Sequence, residues 1–215
     1  MSNRKQVYDS PRQAARRRAI LQATRDLISK RGYEGTTVRD VAELAGVAKG
    51  TLYNIYGGKD ELIFSAVVEI RDDVRERTLD LAPQPGLDSI LKSDRAVLEE
   101  IVRTPTYAEA ISRALFGTTG AKMLVPSLIG VPIELTRKEL ESAKRLGEIQ
   151  EDVDSDMLAR QLVMQRWGLI MASSLEQLPS DKIEHEVTHA IVRILQSIAL
   201  PAGRALLDEV LRTSK

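Results

Sequence analysis

Apolar residues recur along the chain at intervals of three and four, and no run alternates with the two-residue period of a half-buried strand. The pattern predicts helices throughout. Over residues 12–30 the stripe is Ala15, Ile20, Ala23, Leu27 and Ile28, with Pro11 before it and Gly32 after it. Residues 1–11 are polar and are expected to form a flexible lead. From 59 to 81 the stripe is Ile63, Val67, Ile70 and Val74, and Pro83, Pro85 and Gly86 stop it. At 1.5 Å per residue such a helix spans about 35 Å, enough to join two domains rigidly. Residues 87–103 are predicted to bury Leu87, Ile90, Leu91, Val97, Leu98 and Ile101. Pro105 opens a helix that presents Tyr107, Ile111 and Leu115 and runs to about 116. Gly117, Gly120, Pro126, Gly130 and Pro132 then break the pattern, predicting a loop or kinked segment, after which helix resumes to about 146.

Two strongly apolar helices follow the turn at Gly147 and its acidic neighbours. The first, over 156–177, has little polar face near Trp167, Leu169, Ile170, Met171 and Leu175. The second, entered through Pro179, Ser180 and Asp181 and running to about 200, carries Ile183, Val187, Ala190, Ile191, Ile194 and Ile198. Pro201 opens a last short helix with Leu206, Leu207, Val210 and Leu211. On a single chain the two long helices would expose a large apolar patch, which pairing with a second copy as a four-helix bundle would bury.

Residues 37–59 depart from this long-helix rhythm. Thr37, with Asp40 three residues on, starts a short helix by capping its first turn. Val38, Val41, Ala42 and Ala45 form the apolar face, and Gly46 supplies the left-handed residue that ends it. A second short helix over 48–55 is predicted to turn Leu52 and Ile55, with Val47 just before it, inward. Tyr33 is expected to pack beneath the pair. A small residue at 42, glycine at 46 and an apolar residue at 52 is the spacing of a helix-turn-helix, although a generic helical hairpin shares some of it. The second helix leaves Lys49, Gly50, Thr51, Tyr53 and Asn54 outward, residues suited to base edges and phosphates.

Charge sharpens this picture. The net charge is zero, yet residues 1–60 hold 12 Lys and Arg against 6 Asp and Glu, while the rest hold 19 against 25. A basic end on an acidic body suits attraction of that end to a polyanion. Arg16, Arg17 and Arg18 add backbone-contact candidates. With no cysteine, thiol and disulfide chemistry are excluded. No apolar signal core and no stretch near the ~18 apolar residues of a membrane span is evident, so a cytoplasmic protein without a membrane partner is expected. No cofactor motif is present.

Arg31-Gly-Tyr-Glu-Gly-Thr-Thr-Val38, Val41-Ala42, Ala45-Gly-Val47, Lys49-Gly-Thr-Leu-Tyr53 and Lys59-Asp-Glu-Leu62 together closely resemble the tetracycline-repressor (TetR) family of bacterial regulators. The likeness is dense over about residues 12–65 and elsewhere rests on helical character. It implies an all-α fold, with a three-helix DNA-binding domain over 1–58 and a helical effector-binding and dimerisation domain over 59–215. It further implies a homodimer joined near 156–178 and 181–200, on a palindromic operator from which a small-molecule effector releases it. By the family motif, Lys49, Gly50, Thr51 and Asn54 would lie nearest the bases, with Arg39 entering from the preceding helix. Thr37, Tyr53 and Lys59 would hold phosphates. Ile55 stands where some relatives have a polar residue. Candidates for an effector pocket are the soft or aromatic Tyr107, Phe116, Met123, Met164, Trp167 and Met171, among which acidic residues suited to a strongly cationic ligand are scarce.

One motif competes. His185-Glu-Val-Thr-His189 matches the H-E-x-x-H pattern, which sets two imidazoles on one helix face to hold zinc, with the glutamate as base and Glu209 as a conceivable third ligand. The pattern fixes only three positions, in a helix rich in glutamate, and Pro201 interrupts the path to Glu209. Two histidines on the wet side of an interface helix are the preferred reading.

Overall fold

The computed structural model describes residues 10–116 and 121–213. Ten α-helices follow in order among them: α1 Pro11–Gly35, α2 Val38–Leu44, α3 Lys49–Tyr56, α4 Lys59–Asp80, α5 Leu87–Arg103, α6 Pro105–Phe116, α7 Val131–Arg145, α8 Ser155–Ser174, α9 Ile183–Gln196 and α10 Pro201–Thr213. The only extended pairing among the described residues is an isolated antiparallel bridge between Ile149 and Ala199. Most of the lead expected over 1–11 lies outside the described residues. Its end is ordered: Ser10 and Gln13 form a reciprocal capping box at the start of α1. Gly32 (φ 72°) breaks the helical path of α1 near its end.

Two apolar clusters organise the chain. The smaller gathers Ile20, Leu21, Ala23 and Leu27 of α1, Val38, Val41 and Ala42 of α2, Leu52 of α3, and Leu62 and Ala66 of α4. The larger spans the remaining helices and includes Ile28, Ile63 and Val67. Helix α4 therefore belongs to both, turning Leu62 and Ala66 to one core and Ile63 and Val67 to the other. Tyr33 packs in the larger cluster, not beneath α2 and α3 as expected, with its hydroxyl donating to Asp60 at 2.7 Å. Ala15, placed in the α1 stripe by its spacing, is exposed among the described residues.

The segment broken by glycine and proline is more regular than expected. Residues 117–120 lie outside the described region. A 3₁₀ turn covers Ala121–Met123, and helix then runs from 124 through a π-turn at Pro126–Gly130 directly into α7. Pro132 explains the π-turn: it has no N–H to give, and its ring would clash with the carbonyl of Leu128 in a regular helix. That freed carbonyl instead accepts the Trp167 indole N–H at 3.0 Å. The helix expected to reach about 200 stops at Gln196, and Leu200 N–H donates to the Glu148 carbonyl at 2.9 Å to close the bridge. Gly203 at the start of α10 packs so closely on the Glu148 backbone that a Cβ would collide with it. No helix among the described residues is long and apolar enough to cross a membrane.

Candidate nucleic-acid interface and small-molecule cavity

The α2–turn–α3 unit forms as its chemistry dictates. The Thr37 side chain accepts the Asp40 N–H at 3.2 Å and its hydroxyl donates to the Asp40 carboxylate at 2.6 Å. This cap is worth about 1 kcal/mol by the usual cost of removing one. That hydrogen bond, with Arg31 nearby, holds the Asp40 carboxyl below its ordinary range. Gly46 adopts φ 63°, and Val47 N–H returns to the Ala42 carbonyl at 2.9 Å, the closure of a left-handed helix end. Val41, Ala42 and Leu52 are buried between the two helices, which fixes the face that α3 presents outward.

That face is polar. Thr37, Arg39, Lys49, Gly50, Tyr53 and Asn54 are exposed, and Thr51 and Lys59 are half-buried. Among the described residues a Cβ on Gly50 would meet nothing within 4 Å beyond its own helix, so close approach of a partner's backbone is open there. Lys49 lies over the Tyr53 ring at 5.5 Å. Lys59 sits over the Tyr33 ring at 5.1 Å, and its ammonium donates to the Glu34 carbonyl at 3.1 Å. The Arg16 guanidinium reaches from α1 to the Thr51 hydroxyl at 3.3 Å, bringing the basic start of α1 to the same side. The structure corrects one position: Ile55 is 54% exposed, and Tyr56 packs against the small core in its place. With Leu52 inward, Ile55 stands three residues further on but over the open end of α3, beyond its neighbours.

In the larger body, a cavity of about 130 Å³ lies among five helices. Its walls come from α4 (Val67, Ile70, Arg71, Val74), α5 (Val97, Glu100, Ile101), α6 (Tyr107, Ala108, Ile111), the π-turn with Pro132 (Ser127, Leu128), and α8 (Arg166, Trp167), with Thr104 between α5 and α6. Tyr107 and Trp167 thus come together. The other candidates do not join them. Phe116 and Met123 are 43% and 38% exposed at the segment between α6 and α7, and Met164 is 41% exposed on the outer face of α8. Met171 is half-buried, its sulfur 3.3 Å from the Ser174 hydroxyl. Soft side chains alone could not reveal which side of α8 faces the cavity. A better signal was the set of charged residues falling at buried helix positions. Arg166 is buried and paired with Asp94, and Glu100 is buried between Arg77 and Arg103. Arg71 donates to Ser127 at 2.9 Å.

His185 and His189 stack at 3.9 Å between ring centroids on α9, but among the described residues no three His, Cys, Asp or Glu side chains gather as a metal set. Glu209 does not complete one. A groove on α8 and α9 is lined by Gln161, Met164, Gln165, Gly168, Leu169 and Ile194.

Comparison with known proteins agrees with the fold and the two-helix unit. Residues 20–66 match the family described as bacterial regulatory proteins, tetR family. The repressor KstR of Rhodococcus jostii is 37% identical over 106 residues, 47% of this chain and 48% of that protein, so this alignment spans about half of either. The repressor Rv3405c of Mycobacterium tuberculosis is 26% identical over 191 residues, covering 83% of this chain and 88% of its own. Among solved structures, CprB of S. coelicolor superposes with a TM-score of 0.69 at 21% identity, over 94% of this chain and 98% of its own. SmeT, repressor of a Stenotrophomonas maltophilia multidrug efflux pump, gives 0.71 at 18% identity, over 86% and 91%. KstR, Rv3405c and SmeT are named repressors. Residues 20–66 thus carry the family likeness to the tetR family of bacterial regulatory proteins, and the remainder of the chain shares the fold of the solved structures.

Proposed function

We propose that the chain is a homodimeric repressor that reads a palindromic operator with α3 and is released by a small molecule bound in the cavity between α4 and α8. The observation that carries this reading is the outward row of Lys49, Gly50, Tyr53 and Asn54 on a short helix whose inner face is locked by Leu52. Residues 1–58 serve as the reading domain, completed by the first turns of α4, and residues 59–215 as the effector-binding and dimerisation domain. Lys49, Gly50, Thr51 and Asn54 face the bases, and Arg39 enters from α2. Thr37, Tyr53 and Lys59 hold phosphates, for which Lys59 exchanges its Glu34 carbonyl. The groove on α8 and α9 supports the dimer, since Met164, Leu169 and Ile194 offer apolar surface for a second copy to cover. KstR and Rv3405c are named repressors, which favours repression.

The test is fluorescence anisotropy of the full chain on DNA from its own promoter. The reading expects two chains per palindromic site and an affinity about 10³-fold or more above that for scrambled DNA at the same salt. Equal affinity for the two DNAs would contradict it.

A further inference from the structure

We propose that Tyr107 transmits the state of the cavity to the reading domain: its ring is cavity wall, and its hydroxyl is poised to take Glu69 from Arg25 and so open the seam between α1 and α4. The proposal rests on the ligand-responsive reading above and gives that response its moving part. Two spaces meet at this residue. On one side is the apolar cavity between α4 and α8. On the other is a polar cleft between α1, α4 and the α5–α6 corner, lined in part by Arg25, Ser29, Asp73 and Arg103. Ile70, Glu100, Thr104 and Tyr107 line both spaces and so form the partition between them.

Tyr107 stands in the first turn of α6. Its hydroxyl is buried, faces neither space and has no hydrogen-bond partner among the described residues. The charged groups around it are Arg25, Glu100 and Glu69, and burial holds the phenol above its ordinary range as a neutral donor. Buried hydroxyls nearly always find a partner, and the exception here has a cause. Both carboxylates are already taken: Glu69 by Arg25 across the seam, and Glu100 by Arg77 and Arg103. Glu69 is held by one guanidinium and Glu100 by two, so Glu69 is the one that can be released. Arg25 keeps a second acceptor, since it also donates to Gln22 at 2.7 Å. A body filling the cavity presses the ring away from α8 and carries the hydroxyl towards Glu69. The hydrogen bond then gained offsets the ion pair lost, which gives two discrete arrangements rather than a graded strain. In the second, α1 loses its tie to α4. Helix α1 contributes Ile20, Leu21 and Leu27 to the small core and brings Arg16 to Thr51 on α3, so its release reaches the reading face.

Val97 lines the cavity from α5 and takes no part in the cleft wall. Val97→Phe therefore fills part of the cavity without an added ligand. In the full chain it should weaken binding to promoter DNA at least about tenfold, within the roughly 5–150-fold range of such couplings. In a Tyr107→Phe background, which keeps the ring but has no hydroxyl to donate, the same change should cost less than about threefold. Amide hydrogen exchange gives a reading independent of DNA. Val97→Phe should speed exchange over residues 20–30 of α1 relative to α8, and Tyr107→Phe should cancel the difference. Glu69→Gln opens the seam directly and leaves the cavity alone. It should speed α1 exchange and weaken promoter binding whether or not Val97→Phe folds. Val97→Phe effects of equal size in the two backgrounds, none included, or wild-type α1 exchange in Glu69→Gln, would overturn the proposal. Exchange that follows these expectations while promoter and scrambled DNA bind alike supports the Tyr107 link and counts against the repressor. Specific DNA binding with no dependence on Tyr107 counts against the link alone.

Discussion

Ile191 and Ile194 lie three residues apart on α9, and periodicity treats them alike. Within the subunit they differ: Ile191 is 1% exposed in the core, whereas Ile194 is half-buried on the outer groove. Ile191→Asp should therefore unfold the subunit, since an unpaired buried charge costs about 3–5 kcal/mol. Ile194→Asp should leave a folded chain that sediments as a monomer. Sedimentation and circular dichroism separate the two, and a folded Ile191→Asp dimer would contradict this placement. On the DNA side, Tyr53→Ala and Lys59→Ala should weaken binding to every sequence, each lowering the salt slope by about 0.9. Lys49→Ala and Asn54→Ala should instead relax preference among operator variants by about 1–3 kcal/mol where a bidentate contact is lost. Competition among variant operators checks this, and unchanged preference in both would remove α3 as the reader. The candidate DNA face was legible in the sequence because capping, glycine and small-residue requirements fix a two-helix unit locally. The cavity was not, because Met164 and Trp167 share a helix and only its packing decides which one faces inward. Ile55 was misjudged for a similar reason: an apolar residue at the last turn of a short helix need not have anything above it.

Among the elements, α4 joins the two apolar clusters. Its Leu62 and Ala66 complete the small core while Ile63 and Val67 enter the large one, and its Arg25–Glu69 ion pair ties it to α1. Helix ends at Pro83, Pro85 and Gly86 were readable because those residues cannot continue a helix. The π-turn before α7 was not, since its stability depends on the Trp167 indole arriving from α8. Helix α9 carries a pH response whose sign follows from its surroundings. Burial holds His189 below its ordinary value, with His185 and Arg193 adding to the effect and Glu186 opposing it. The fold thus favours the neutral ring. The stability this gives is fully present above the unfolded value near 6.5 and is lost as pH falls through the lower folded one. Thermal unfolding midpoints should drop between about pH 7 and 5, and the drop should shrink in His189→Gln. A drop of equal size in that variant would assign the response to other groups.

At the scale of the whole molecule, the cavity and the proposed reading face share one helix. Four cavity residues, Val67, Ile70, Arg71 and Val74, lie on α4, whose first residue is Lys59 and whose first turns complete the small core. Arg71 and Arg77 link the same helix to the π-turn and to α5 through Ser127 and Glu100. Two reading heads in a dimer must match a fixed half-site separation, so a small pivot of α4 in each subunit misplaces both. A ligand can drive that pivot only by its difference in affinity for the two arrangements. Trp167, the sole tryptophan, lines the cavity, so its fluorescence should change when the cavity fills and should report occupancy directly. The decisive measurement is calorimetry of a compound that quenches or shifts Trp167, performed with and without saturating operator DNA. Linkage requires operator to weaken compound binding by the same factor that the compound weakens operator binding, about 5–150-fold for a coupling of 1–3 kcal/mol. Equal compound affinities in the two titrations would contradict the account, leaving the cavity occupied but uncoupled from the DNA.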